Sequence, residues 1–308
     1  MRSATTFRVP QPVSRVSRVL LGCCVSSFLI AACGGASEAS DTATLYFGAI
    51  PDNNKGRLQE RYDKLAAYLG EALGIEVVYK PSIDYGACVE GFKNGEIQLA
   101  WFGGVSGVQA REAVEGAQSI AQGKVDPEFV SYFVAHKDAG LIPGAEFPRQ
   151  MAGKSFTFGN SGSTSGRLMP EFYIRQHTGQ SPEEFFGSPN RYAGSHDQTA
   201  LQVQSHAVDC GALSYKVYDR LVAEGTIDPA VCLKIWTTPA YADYNWTAHP
   251  VLEERYGVGF LKRLQDALVG IRDPDLLLAM DREEGLIPAT NSEYEGIRST
   301  MLDVGMLR

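Results

Sequence analysis

The sequence predicts an α/β protein built as two lobes. Three observations lead there. Strand-like and helix-like segments alternate along most of the chain, the signature of βαβ units. The alternation is interrupted near residues 135–145 and again near 238–248, as expected where a chain crosses from one lobe to another and back. About 265 residues follow a polar N-terminal stretch, enough for one large domain or two smaller bodies.

The N-terminus reads as an export signal. Arg2, Arg8, Arg15 and Arg18 come with no acid, and an apolar run from Val19 to Ala32 follows. That run is shorter than the roughly 20 apolar residues a membrane span needs. Leu29-Ile30-Ala31-Ala32-Cys33 resembles a bacterial lipobox, which implies cleavage after residue 32 and a lipid on Cys33. A plain cleavable signal is the competing reading. Residues 33–43 are small and polar and suit a flexible tether. Loss of residues 1–32 removes four arginines and takes the formal charge from −8 to −12. So acidic a protein is a poor partner for nucleic acid or an anionic membrane surface.

Downstream, Thr44 to Ile50 alternates as a strand and Arg57 to Leu73 carries helical periodicity. Glu76 to Tyr79 is a second strand, Tyr85 to Asn94 a helix, and Ile97 to Phe102 a buried-type strand ending in Gly103-Gly104. Val105 to Ala113 is helical, and Ser119 to Ala121 and Phe129 to His136 are strand-like. After a Gly/Pro-containing loop, strands are expected at 154–158, 191–193, 208–213 and 231–237, with helices between them. From Pro250 onward the chain reads as mostly helical. Lobe 1 is expected to comprise 44–136 and 245–308, and lobe 2 to comprise 137–244. Cys88, Cys210 and Cys232 remain after processing. A bridge between Cys210 and Cys232 and two buried free thiols are both compatible with their strand positions. No CxxC or clustered His supports a metal site, and no cofactor is expected.

The most informative segment is Phe158 to Gly166, F-G-N-S-G-S-T-S-G. A strand enters a Gly/Ser turn and a helix leaves it. Backbone amides and the hydroxyls of Ser163, Thr164 and Ser165 would then sit at the positive end of a helix, where a small anion is favoured. An ordinary Ser/Thr cap uses the same residues. Other strand-end loops that would face an inter-lobe cleft hold Asp52, Tyr85, Phe102-Gly103, His196, Tyr215 and Tyr244. His196 either donates to an anion or caps its own helix. Arg167 is either solvated or leans over the turn.

At these loops the chain resembles the phosphate/phosphite/phosphonate-type substrate-binding proteins of ABC transporters. The carriers are Asn94-Gly95-Glu96-Ile97 through Phe102-Gly103, Ser163-Thr164-Ser165-Gly166, Gly194-Ser195-His196-Asp197 and Thr238-Pro239. The resemblance implies a type II periplasmic-binding-protein fold with mostly parallel sheets and a hinged cleft. It implies that Ser163, Thr164, Ser165 and His196 grip a tetrahedral oxyanion, helped by Tyr85. Asp243 to Pro250, with Trp101 to Gly104 and Ser165 to Pro170, looks most like a subgroup named for selenate binding. Ser214-Tyr215-Lys216 and Tyr244-Asn245-Trp246 stand where aminophosphonate binders place carboxylates, so an ammonium group lacks an evident partner.

The expectation is therefore a monomeric, lipid-tethered receptor outside the cytoplasmic membrane, delivering a small oxyanion to a permease. Two other classes compete: an oxyanion-sensing partner of a membrane histidine kinase, and an exported hydrolase. The hydrolase is disfavoured because Gly162 to Gly166 carries Thr164 where a G-x-S-x-G elbow needs Ser.

Overall fold

The structure, a computed structural model, describes residues 43–52 and 55–307. The export signal, Cys33 and nearly all of the tether lie outside the described residues. The chain opens with β1 (Leu45–Ala49), α1 (Lys55–Leu73), β2 (Val77–Tyr79), α2 (Tyr85–Lys93), β3 (Leu99–Phe102), α3 (Gly104–Ala113) and β4 (Gln118–Gly123). It crosses into β5 (Ser131–His136), β6 (Phe156–Thr157), α4 (Met169–Thr178), α5 (Pro182–Phe186), α6 (His196–Gln204), β7 (Cys210–Ser214), α7 (Tyr215–Ala223) and β8 (Cys232–Thr237). It returns through β9 (Asn245–Ala248), α8 (Val251–Tyr256), α9 (Phe260–Val269), α10 (Pro274–Leu278), β10 (Leu286–Pro288) and α11 (Glu295–Asp303). Among the described residues no helix is long and apolar enough to cross a membrane.

Two sheets organise these elements. The larger has the order β10-β4-β9-β3-β1-β2 and the smaller β6-β7-β5-β8. Both are mixed rather than mostly parallel. β1 runs parallel to β2 and β3, and β6 to β7, but β9 inserts antiparallel between β3 and β4. A strand that returns from the other lobe enters from the opposite end, and nothing in its own residues records that direction. β10 also lies in the stretch from Pro250 expected to be mostly helical, and β9, just before it, lies outside the expected strands. At three and four residues they are too short to show a period. The segment expected as a strand at 191–193 contributes only an isolated bridge, Phe158 with Tyr192.

β5 pairs with β7 and β8, so residues 131–136 belong to the smaller sheet and not to lobe 1. The crossings sit where Phe129 and Tyr241 bridge antiparallel, exchanging two backbone hydrogen bonds of 2.9 and 3.0 Å. The two connecting segments thus run side by side between the sheets.

Packing follows from the periodicities. Tyr62, Leu65 and Leu69 of α1 are buried along one face of the helix, while Phe47 of β1 stacks edge-on to Tyr62 and Trp246. Trp101 and Trp246 face each other across β3 and β9. Beneath them Arg282 is buried, its guanidinium doubly bonded to Asp126 at 2.8 and 2.6 Å and lying over the rings of Tyr244, Trp101 and Phe129. Cys88, Cys210 and Cys232 are buried free thiols. Cys210 pairs with Ala135 and Cys232 with His136 on opposite sides of β5, so a whole strand separates them and no bridge can form.

Candidate functional site

The Phe158–Gly166 turn folds as its residues dictate. Ser163 is extended and its hydroxyl accepts from the Gly166 amide at 3.0 Å, an N-cap on a single π-type turn (Thr164–Leu168) that runs into α4. First-turn amides have no acceptor within their own helix, so Thr164 and Ser165 present both N–H groups and hydroxyls at a positive end. Ser163, Thr164 and Ser165 are nonetheless almost wholly buried, at 1–2% exposure. What covers them is the other lobe.

The N-terminus of α3 closes on this turn. The Val105 amide donates to Thr164 Oγ1 at 3.0 Å, and the Gly104 amide donates to Asp243 Oδ1 at 2.9 Å. A glycine leaves room for that approach. A Cβ on Gly103 would lie 3.2 Å from Asp243 Oδ1 and 3.3 Å from Thr164 Oγ1. On the far side, a Cβ on Gly166 would lie 3.1 Å from His196 Cε1. Three strand-end turns thus meet at one point: one from the larger sheet and two from the smaller.

His196 opens α6. Its backbone amide reaches Asp52 O at 3.3 Å and its Nδ1 accepts from the Ser214 amide at 3.3 Å. Burial pushes its pKa down to about 4, so at neutral pH the ring is uncharged and carries its proton on Nε2. That Nε2 is buried with no hydrogen-bond partner in the protein, as are Ser165 Oγ and Asp243 Oδ2. Buried polar atoms are rarely left unpaired. Two hydrogen-bond donors and one carboxylate oxygen therefore stand unpartnered at the junction.

Asp243 is the residue the sequence reading missed. Burial raises its carboxyl to about 7, against the lowering effect of the bonds from Gly104 and Thr164. Asp52, expected at the cleft, is also buried. Its Oδ2 accepts from the Tyr244 hydroxyl at 2.9 Å, and burial raises it to about 6, with the charge of Asp281 adding to the shift. Two buried carboxylates thus flank a site in which the sequence comparison found no evident partner for an ammonium group. The missed signal was available, since Asp243 immediately precedes the Tyr244-Asn245-Trp246 run.

Ser131 was missed as well. Its hydroxyl donates to Ser165 O at 2.8 Å and lies 2.6 Å from the Tyr241 hydroxyl. With its one proton committed to Ser165, Ser131 accepts from Tyr241, and the relay pins the Ser165 backbone to β5.

The remaining expected residues divide. Tyr85 is buried against the turn, its Cβ 3.2 Å from where a Gly162 Cβ would lie. Phe102 turns away to pack edge-on to Phe92 and belongs to the core, although Gly103 beside it is at the junction. Tyr215 packs on Phe129 and Tyr132, at 4.8 and 6.1 Å between ring centres, one layer from the turn. Arg167 does not lean over the site: it donates to the Tyr192 hydroxyl at 2.9 Å, lies over Phe158 and pairs with Glu171. Among the described residues no lysine or arginine hydrogen-bonds to Ser163, Thr164, Ser165, His196 or Asp243. Arg282 lies behind the Tyr244 ring at 4.6 Å.

The chain resembles known proteins along most of its length. Residues 47–294 match the family model described as the periplasmic substrate-binding protein of a phosphonate ABC transporter. The chain is 36% identical over 279 residues to a Prochlorococcus marinus protein named "Probable ABC transporter phosphite binding protein PhnD1", covering 89% of this chain and 94% of that one. A Mycolicibacterium smegmatis "Phosphate-import protein PhnD" is 29% identical, covering 89% and 92%. The crystal structure of the Prochlorococcus protein with methylphosphonate superposes with a TM-score of 0.80 at 35% identity, covering 86% of this chain and 99% of that one.

Proposed function

Because the chain belongs to the phosphonate-binding family of periplasmic ABC-transporter proteins, we propose that it captures a small tetrahedral phosphorus oxyanion carrying one proton and passes it to a membrane permease. Phosphite, methylphosphonate and hydrogen phosphate have that form. The observation that carries the reading is the trio of buried, unpartnered atoms: Ser165 Oγ, His196 Nε2 and Asp243 Oδ2. The two donors suit anionic oxygens, and the carboxylate suits a P–OH proton. Amides of the Thr164 turn and the flanking hydroxyls supply further charge-assisted bonds, each worth about 1.5–3 kcal/mol. Ser163, Thr164, Tyr85 and Gly103 complete the proposed cradle. Asp52 and Tyr244 close it from the lobe 1 side, with the two lobes hinging at Phe129 and Tyr241.

Selenate, suggested by the subgroup resemblance, fits less well. It carries no proton at neutral pH, so Asp243 would have to take one up to accept it. The family also favours binding over turnover, and export followed by lipidation at Cys33 would keep a monomer beside its permease. Sensing through a kinase partner would use the same ligand chemistry.

A thermal-shift series with the mature protein tests the reading. Methylphosphonate, phosphite and phosphate should each raise the melting temperature, since a ligand at 100 times its Kd adds about 2.7 kcal/mol. Sulfate and selenate should do so only as the pH falls. Absence of any response to the phosphorus anions, or a stronger response to selenate at pH 8, would reject it. Retention of a Cys33→Ala variant in the membrane fraction would reject the lipid tether.

A further inference from the structure

β5 begins beside the turn at Ser131 and ends at His136, so its far end lies about 17 Å from the site at the usual strand rise. A second cluster of ionisable groups sits there, made by three separate segments. His136 ends β5, Asp138 follows it, and His206 stands in the turn between α6 and β7. His136, Asp138 and His206 each offer one ligand atom, and these three atoms lie within 4.8 Å of one another. The two imidazole rings stack at 3.9 Å between centres with 14° between planes.

We propose that this cluster binds a divalent transition-metal ion of the zinc class. Two imidazoles and a carboxylate form a donor set that suits such an ion, whereas calcium and magnesium prefer sites made of oxygen. The protonation pattern is already appropriate. His206 Nε2 lies 3.1 Å from Asp209 Oδ1. The other oxygen of Asp209 is held by the Ser155 amide and hydroxyl at 3.0 and 2.7 Å. A carboxylate anchored in this way accepts a hydrogen bond from Nε2–H and leaves the Nδ1 lone pair of His206 free to ligate, the outer-shell arrangement usual for metal-bound histidine. His136 Nδ1 accepts from the Asp138 amide at 3.2 Å, so it too carries a lone pair.

Two adjustments are needed. Stacked rings cannot both point their lone pairs at one ion, so the His206 ring must turn. It is the exposed member of the pair. Lys137 Nζ, 2.9 Å from both Asp138 oxygens, must also give way, and it is an exposed side chain on the same turn. The fourth position would be filled by water.

Calorimetric titration of untagged mature protein with ZnCl2 should show one equivalent bound, with CaCl2 and MgCl2 producing no heat beyond dilution. His206→Asn is the principal variant, because His206 has φ 56 and Asn tolerates that left-handed backbone. It should weaken zinc binding at least tenfold while leaving methylphosphonate affinity unchanged. Asp138→Asn should weaken zinc binding as well. No zinc binding by the parent protein would overturn the proposal. So would an undiminished zinc affinity in both variants. Because the readout is zinc heat and not oxyanion capture, failure here is separate from failure of the proposed function.

Discussion

Arg220, on α7 of the smaller lobe, and Asp281, between α10 and β10 of the larger, meet across the junction with 3.4 Å between guanidinium and carboxylate. Asp281 also faces Arg61 of α1 at 3.6 Å and holds a left-handed backbone, φ 51. One helical turn before Arg220, Lys216 reaches Glu284 at 2.6 Å and Glu283 at 3.6 Å. These ion pairs join the lobes, and the charges of Asp281 and Arg220 are felt at Asp52. The pairs exist only when the lobes are together, so their energy would add to the proposed closure on a ligand.

Lys216→Glu should therefore weaken oxyanion affinity severalfold although it touches no ligand. Glu284→Lys in the same chain should recover most of the loss. Exposed pairs are worth about 0–1 kcal/mol each and are screened by salt. The parent affinity should then fall between 0.02 and 0.5 M NaCl (about 20 to 4 Å of screening length) more steeply than that of Lys216→Ala. Calorimetry at the two salt concentrations checks this, and equal salt slopes would remove the latch.

Ser165→Ala separates a binding role from a structural one. Ser165 Oγ has no partner in the protein, so its removal should leave the ligand-free melting temperature unchanged or slightly raised. Methylphosphonate affinity should nevertheless fall about 10- to 100-fold, the equivalent of one charge-assisted bond. A lowered melting temperature with unchanged affinity would reverse the assignment.

The two buried acids and the buried histidine pull stability in opposite directions with pH. Asp243 is raised in the folded protein to about 7. Its contribution is fully present below its unfolded value near 3.8 and is lost as the pH rises through 7. His196 is lowered to about 4. Its contribution is present above its unfolded value near 6.5 and is lost as the pH falls toward 4. Asp243→Asn should accordingly flatten the decline in ligand-free stability between pH 4 and 7, and His196→Gln should flatten the loss on acidification from 6.5. Urea unfolding at half-unit pH steps reads both.

Breaking the Arg282–Asp126 pair should be far more damaging. Both groups are buried and doubly bonded, and removal of one partner leaves an uncompensated charge worth about 3–5 kcal/mol. Asp126→Ala should lower the unfolding free energy obtained from urea titration by that amount. A double replacement, Asp126→Leu with Arg282→Met, should recover part of it, because no charge is then stranded.

Local chemistry made much of this protein legible from its residues. The turn at Ser163–Gly166 is written in a Ser/Thr/Gly cap whose signal spans only a few positions, and α1 is written in the recurrence of Tyr62, Leu65 and Leu69. Helix caps and amphipathic periods are short-range effects, so a single sequence carries them in full. Asp243 was legible only as a neighbour of the Tyr244 run, because it becomes a site residue by meeting Gly104, 139 positions away in the chain. Ser131, Arg282 and the antiparallel insertion of β9 have the same origin. The His136–His206 stack joins residues 70 positions apart across two strands, and the local pattern around either one gave no hint of a cluster. What the sequence determined by itself was each element and each cap. The tertiary structure alone decided which carboxylate would be buried beside which helix end, because desolvation and close approach depend on neighbours that chain crossings bring together.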